Sequence, residues 1–383
     1  MTGVGVIATA GQGKDAYWDG LLADPPDGPR EIADWDPAPW FGSKEARRSD
    51  RFTQFAVAAA DMALLDAGPL RADPDRSGVM FATGVGGLHT LEEQIVLRHE
   101  KGPRRVSPFL VPMMMANAAG AAISMRWGWR GPCEATVTAC AASTHAIGNA
   151  ARLIATGVCD AVLTGGSEAA ITPTGMAGFS NMTALSTTGV SRPFDTARDG
   201  FVIAEGAAVL ILEDLEGAIA RDAHIYGEVV GSASTADAYH ITAPTPDGSG
   251  AVRCMQQALA DAGLATDDIV QINAHGTSTP LNDAAEAEAI AKVFGSPGPP
   301  VTSTKGVTGH ALGAAGALEA VAVLLSMQHR LIPPTKGLKD PDPVVTLDLV
   351  TEARDWEPGP TLSNSFGFGG HNGCLILNPP PAA

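Results

Sequence analysis

Basic residues are scarce in this chain: 25 Lys and Arg stand against 42 Asp and Glu, a formal net charge of −17. Such a charge repels nucleic acid and anionic membrane surfaces at long range, so neither is expected as a partner, although a local basic patch can still recruit an acidic protein. Paired cysteines are missing as well. Cys133, Cys140, Cys159, Cys254 and Cys374 are scattered without C-x-x-C spacing, which argues against a disulfide framework or a structural zinc site and favours a reducing, cytoplasmic setting with no bound metal. Long apolar runs are lacking: the stretches near Met113 to Met125 and Ala314 to Met327 are too short or carry Glu319, and the N-terminus has no charged region of an export signal. No membrane span and no export signal are expected. With 3 Tyr and 17% charged residues, but 44 Gly, 28 Pro and 45% hydrophobic residues, the composition suits an α/β protein whose helices and strands approach closely.

The 383 residues suffice for two or three domains or one large duplicated unit. Thr138-Ala-Cys140-Ala-Ala-Ser-Thr-His-Ala-Ile-Gly148 organises the first half. Glu134 to Thr138 reads as a short strand and Ala141 to Thr156 as an Ala-rich helix, which puts Cys140 where a strand turns into a helix. Unpaired N–H groups there favour thiolate over thiol and lower the cysteine pKa, as a nucleophile requires. A small core cysteine in a tightly packed strand–helix unit has the same pattern, and the other four cysteines read as core filler.

The remainder alternates between strands and helices. Strands are predicted over Gly3 to Thr9, Gly78 to Thr83, Asp160 to Gly166, Ala207 to Glu213, Tyr226 to Ser232, Ile269 to Ala274, Val301 to Ser303 and Cys374 to Leu377. Helices are predicted over Lys44 to Ala67, Leu88 to His99, Gly250 to Ala262, Asp283 to Val293 and Gly313 to Gln328. The pattern restarts near Tyr226, dividing the chain at 1–225 and 226–383. Mainly parallel sheets covered by helices on both faces follow, and two stacked halves would bring their turns onto one cleft.

The second half offers Asn273-Ala-His275-Gly-Thr-Ser-Thr279-Pro and Val301-Thr-Ser-Thr-Lys305-Gly-Val-Thr-Gly-His310, each ending a strand at a turn, with Glu319 on the next helix. Asn364-Ser-Phe-Gly-Phe-Gly-Gly370 reads as a glycine turn before the last strand. It serves either as a plain tight turn or to bring backbone N–H groups close to a reacting oxygen.

These four blocks, with Ser107-Pro-Phe and Ser191-Arg-Pro-Phe-Asp-Thr-Ala-Arg-Asp-Gly-Phe201, resemble the signature blocks of the β-ketoacyl-[acyl-carrier-protein] synthases, and most closely the elongating type II enzymes and their relatives in aromatic polyketide synthesis. The resemblance implies a thiolase-like αβαβα fold of two similar halves, a homodimer, and decarboxylating condensation of an acyl chain with malonyl-carrier protein. It implies no cofactor beyond the phosphopantetheine of an acyl carrier protein. By residue matching, Cys140 is the nucleophile, the N–H groups of Cys140 and Phe368 form the oxyanion hole, His275 and His310 hold the enolate, and Lys305 orients the site with Glu319 behind it. Thr277 and Thr279 would contact the pantetheine arm, while Phe366, Phe368, Val85, Leu110 and Phe179 would bind or gate the acyl chain. Lys44, Arg47, Arg48, Arg51, Arg104 and Arg105 would dock the carrier.

The sequence departs from the family pattern in three places. Thr183 stands where the family has an arginine, His371 where many members have Thr, and the first strand opens directly after Met1, which predicts a shortened or weakened edge. The alternatives are a polyketide ketosynthase or a non-catalytic chain-length partner. Cys140 argues against the partner subunit, and the two histidines with Lys305 argue against a degradative thiolase.

Overall fold

The computed structural model describes residues 1–381. Two mixed sheets are stacked with helices between and outside them. In the first sheet, β1 (Gly3–Ala8), β2 (Ser77–Ala82), β3 (Cys133–Thr136), β4 (Ala161–Glu168) and β5 (Gly206–Glu213) lie in the order β1-β5-β4-β2-β3. In the second, β6 (Glu228–Ala236), β7 (Gln271–Asn273), β8 (Val301–Thr302), β9 (Thr361–Gly367) and β10 (His371–Asn378) lie in the order β6-β10-β9-β7-β8. Both orders show two antiparallel pairings followed by two parallel ones. The sheets are therefore not mainly parallel, as the alternation of elements suggested. Three of the four antiparallel pairings join strands distant in sequence, and the fourth, β9 with β10, is a tight hairpin whose first strand ends in a stretch that reads as a turn.

Helices α1 (Arg51–Ala67), α2 (Ala142–Ala155), α3 (Ser249–Ala262), α4 (Pro280–Phe294) and α5 (Ala315–His329) complete the layers. α1 covers the outer face of the first sheet through Phe52, Phe55, Ala59 and Ala63, while α3 and α4 cover the second. α2 and α5 lie together in the middle, against both sheets. Leu312–His329 has the length and hydropathy of a membrane span, yet 89% of it is buried inside the protein. It is apolar all round because sheets or helices pack on every side.

Four further sequence expectations need correction here. The helix predicted over Lys44 to Ala67 is broken: Ser43–Ala46 is a single turn and α1 starts at Arg51, where the Asp50 side chain accepts from the Phe52 N–H as an N-cap. Asn364 to Gly367 is the end of a seven-residue strand, β9, so only Phe368, Gly369 and Gly370 form the turn. β1 is not weakened, since it pairs with β5 along its whole length from Gly3–Ile211 to Ala8–Gly206. Cys159, Cys254 and Cys374 are buried as expected of core filler, but Cys133 is exposed because it lies on the edge strand β3.

Candidate active site

Cys140 sits in a short 3-10 turn, Ala139–Ala141, that runs directly into α2. Ala139 has φ +49, a left-handed conformation that costs a non-glycine residue about 1 kcal/mol or more and is held by the surrounding structure. The elbow turns the cysteine out of the sheet toward the second half. There the β9–β10 turn meets it: the N–H groups of Phe368 and of Cys140 itself point at the sulfur. Gly367 permits this approach, since a Cβ there would stand 3.0 Å from both the Cys140 nitrogen and the Thr138 carbonyl oxygen.

Both histidines converge on the thiol. His310 Nε2 lies 3.0 Å from Cys140 Sγ, and the His275 and His310 rings meet edge to face with centroids 5.3 Å apart. The donor atoms of Cys140, His275 and His310 all lie within 4.8 Å of one another. Among the described residues this is the one His, Cys and carboxylate group close enough to hold a metal ion, and an ion there would occupy the nucleophile itself.

Lys305 fixes the His275 tautomer. Its ammonium lies 3.3 Å from His275 Nδ1 and donates to the His275 carbonyl oxygen at 2.7 Å. An ammonium only donates, so Nδ1 is an acceptor and the ring proton stays on Nε2, facing the cleft. Beneath it, Lys305 forms a buried ion pair with Glu319. His310 differs in that its Nδ1 has no hydrogen-bond partner among the described residues, so it can exchange tautomers without breaking a bond.

Burial dominates the electrostatics. It pushes the Cys140 thiol up to about 11, with the Phe368 N–H and the Lys305 charge pulling the other way. The thiolate expected from the helix end is therefore not the resting form: removing the sulfur from water outweighs half a helix charge. A base must take the proton, and His310 is in place. Burial, and then the Lys305 charge, hold both histidines well below the ordinary imidazole value, so they rest neutral.

Two buried carboxylates escaped the sequence reading. Glu286 of α4 accepts from the N–H groups of His275 and Gly276, both at 2.7 Å, and so anchors the histidine turn. Glu168, ending β4, accepts from the N–H groups of Gly84 (2.6 Å) and Gly313 (3.0 Å) and from the Thr83 hydroxyl (3.0 Å), tying the first half to the start of α5. Burial raises both to about 7.

A cavity of about 380 Å³ opens over Cys140, lined by both histidines, Thr277, Thr279, Phe366, Phe368 and Thr183. The Thr277 and Thr279 hydroxyls meet at 2.9 Å. Phe179 packs edge-on against Phe201, whose ring stands edge-on to His310. Val85, Leu110 and Phe179 do not line this cavity in the single chain, Phe179 reaching it only through Phe201. Val85 is 47% exposed on the turn after β2, and Leu110 opens the separate helix Leu110–Met114. Lys44, Arg47, Arg48, Arg104 and Arg105 are exposed, and Arg48 lies over the Phe109 ring at 4.2 Å, bringing the two basic segments together. Arg51 does not join them: it is ion-paired with buried Glu205 at 2.5 Å and donates to the Ile32 carbonyl.

A buried thiol between two backbone N–H groups and two neutral imidazoles, at the junction of two like halves, defines a thiol-dependent acyl-transfer site on a thiolase-like fold. Comparison with known proteins agrees. The chain belongs to the β-ketoacyl synthase family, whose N-terminal domain model matches residues 29–218 and whose C-terminal domain model matches 226–339. It is 46% identical to a 3-oxoacyl-[acyl-carrier-protein] synthase 2 of Synechocystis sp. over 402 residues, covering 98% of this chain and 97% of the relative. The Staphylococcus aureus protein of the same name is 44% identical, also over 402 residues and with the same coverages. Among solved structures, the ishigamide ketosynthase/chain length factor superposes with a TM-score of 0.95 at 33% identity, covering 100% of this chain and 98% of the other. A β-ketoacyl synthase from Burkholderia phymatum gives 0.92 at 33% identity, covering 100% and 99%.

Proposed function

We propose that the protein is a 3-oxoacyl-[acyl-carrier-protein] synthase of fatty-acid elongation, an acyltransferase that condenses an acyl chain with malonyl-carrier protein. The carrying observation is Cys140 Sγ within 3.0 Å of His310 Nε2, beside a His275 whose proton Lys305 confines to Nε2. The family uses no cofactor beyond the phosphopantetheine thioester on which its substrates arrive.

The residues account for each step. Cys140 Sγ attacks the acyl thioester carbonyl, its proton passing to His310 Nε2. The N–H groups of Cys140 and Phe368 hold the oxyanion as the C–S bond to the carrier's thiol breaks and that thiol leaves with the proton. Malonyl-carrier protein then binds, with Thr277 and Thr279 against its pantetheine arm. Its C–C bond to the carboxylate breaks, CO2 departs, and the electron pair becomes an enolate whose oxygen accepts from the Nε2–H of His275 and from that of His310, whose ring has by then exchanged its proton from the unpartnered Nδ1 to Nε2. The enolate carbon attacks the acyl-Cys140 carbonyl, a C–C bond forms and the C–S bond breaks, and the sulfur leaves as a thiolate that takes a proton from solvent by way of His310. Lys305 and Glu319 keep His275 oriented throughout, while Phe366 and Phe368 border the apolar chain.

The halves divide at 1–225 and 226–383, a boundary supported by one complete sheet on either side of it. A homodimer is supported by the exposed edge strand β3, with exposed Val137 just after it and exposed Met125 on the helix packed against it, because an open sheet edge with apolar neighbours is a template for pairing. Five unpaired cysteines support a cytoplasmic setting. A polyketide ketosynthase is the second reading, favoured by the 0.95 superposition on a ketosynthase/chain length factor. The 44–46% identity to fatty-acid relatives places it second.

The test is the intact mass after incubation with medium-chain acyl-carrier protein, beside Cys140→Ala. An adduct on the native chain only, discharged by malonyl-carrier protein to a 3-oxoacyl product, is expected. No adduct at any chain length would sink the reading.

A further inference from the structure

His145 is a buried titratable group that the condensation itself does not use. It lies on α2, five residues after the nucleophile, and its two ring nitrogens have different partners. Nε2 is 3.0 Å from the Asn372 carbonyl oxygen and Nδ1 is 2.8 Å from the Thr138 hydroxyl. A carbonyl only accepts, so Nε2 carries the proton, and Nδ1 must then accept from the Thr138 hydroxyl. One neutral tautomer satisfies both contacts.

The positions of those partners give the contacts their meaning. Thr138 precedes Ala139, the residue with left-handed backbone, and Cys140 follows it. Asn372 lies at the start of β10, four residues after Phe368. The ring therefore spans the two backbone segments whose N–H groups converge on the sulfur. A second tie runs beside it, from the Thr144 hydroxyl to the Ser365 hydroxyl at 2.7 Å on the other arm of the same hairpin. Packing between them is tight: a Cβ at Gly373 would stand 2.9 Å from Thr144 Cγ2 and 3.0 Å from the His145 ring.

We propose that His145 is a positioning residue that sets the spacing of the Cys140 and Phe368 N–H groups, and so the fit of the site to the thioester oxyanion. The inference rests on the acyl-transfer reading above. It assigns His145 no contact with substrate. Misplacing a reacting group by about 1 Å costs on the order of a hundredfold in rate, which is ample for a side chain acting through backbone alone.

The two ring contacts can be removed separately. In His145→Asn the amide oxygen replaces Nδ1 as acceptor and the Asn372 link is lost; in His145→Gln the amide NH2 replaces Nε2–H as donor and the Thr138 link is lost. Thr138→Val removes the hydroxyl from the other side. Two half-reactions are read on the full chain: single-turnover acylation by acyl-carrier protein, which uses the two N–H groups, and CO2 release from malonyl-carrier protein, which uses the imidazoles. Acylation is expected to slow by about tenfold to a hundredfold in each variant while CO2 release stays within about twofold. Thr138→Val with His145→Gln should be no slower than either alone, because both break one link. Variants that melt with the wild type and acylate at its rate would overturn the inference, as would equal losses in both half-reactions, which is the mark of a merely structural residue. A wild-type chain that takes no acyl group would instead overturn the functional reading, and this inference with it.

Discussion

Lys305 and Glu319 form an ion pair with side chains only 1% and 2% exposed, directly beneath His275. Two charges so placed hold each other in the interior, and losing one leaves the other uncompensated. Lys305→Ala is expected to destabilise the fold by about 3–5 kcal/mol. It also frees the His275 ring to place its proton on Nδ1, away from the enolate, so condensation should fall further than the folded fraction does. Denaturant titration beside kcat separates the two effects. A variant with wild-type stability and wild-type kcat would show that the pair neither supports the fold nor orients the ring.

The Cys140 thiol, pushed up to about 11 by burial, should alkylate slowly near neutral pH. Raising an acid's pKa favours its neutral form, so at pH 8 the thiolate fraction is on the order of 10⁻³. The rate of iodoacetamide capture at Cys140 is expected to climb about tenfold per pH unit up to pH ~10. A plateau already present at pH 7 would reveal a resting thiolate–imidazolium pair with His310 and contradict this account.

Gly367→Ala tests the closeness of the β9–β10 turn to the nucleophile. The added Cβ meets backbone atoms of both Cys140 and Thr138, and neither can swing aside as a side chain would. Acylation should slow by about a hundredfold with little change in carrier affinity. Single-turnover kinetics against the binding constant will show whether the loss lies in rate or in binding.

Glu168 carries a pH dependence whose sign follows from burial. Its pKa rises from 4.5 to about 7 on folding, so between those values the native state holds a proton that the unfolded state has released. Its contribution to stability is full below pH 4.5 and declines as pH rises through 7. Glu168→Gln keeps one oxygen for the Gly84 and Gly313 N–H groups and offers its NH2 to the Thr83 hydroxyl, which can accept. Urea midpoints measured from pH 5 to 8 should therefore fall less steeply in the variant than in the wild type. Parallel curves would mean that Glu168 is charged throughout.

The residues at strand-to-helix turns could be read from sequence because their chemistry and their local signal coincide. Cys140, His275 and His310 each follow a β-branched run and precede a glycine or small-residue helix. Glu286 could not be found this way: within Asp283-Ala-Ala-Glu286-Ala-Glu it reads as one more helix-surface carboxylate, and only folding sets it under the His275 turn. Glu168 likewise ends an ordinary strand, and its donors come from segments 84 and 145 residues away. The β9 strand is hidden by the glycines at and just beyond its end, Gly367, Gly369 and Gly370, which read as a turn, whereas the break before α1 is signalled, since Ser49-Asp50 is a plain N-cap sequence. The thiol pKa departs from its sequence expectation because a helix end is a local feature of the chain and burial is not.

On the docking surface proposed for Lys44, Arg47, Arg48, Arg104 and Arg105, Arg51 stands apart from its neighbours. Lys44, Arg47 and Arg48 are exposed beside Arg104 and Arg105, whereas Arg51 is committed to Glu205, which is 3% exposed. If this patch docks an acidic carrier on a chain of net charge −17, it must steer the encounter locally, and rim charges of this kind act mainly on association and its salt dependence. Arg47→Glu and Arg48→Glu should raise KM for acyl-carrier protein several-fold, flatten its dependence on ionic strength and leave kcat in place. Arg51→Ala should lower the melting temperature first, because it strands the Glu205 carboxylate, and its KM should change no more than its stability explains. If Arg51→Ala were stable and selectively impaired in carrier binding, the basic surface would extend inward past the α1 N-cap, and the division between docking and structural arginines drawn from their burial would be wrong.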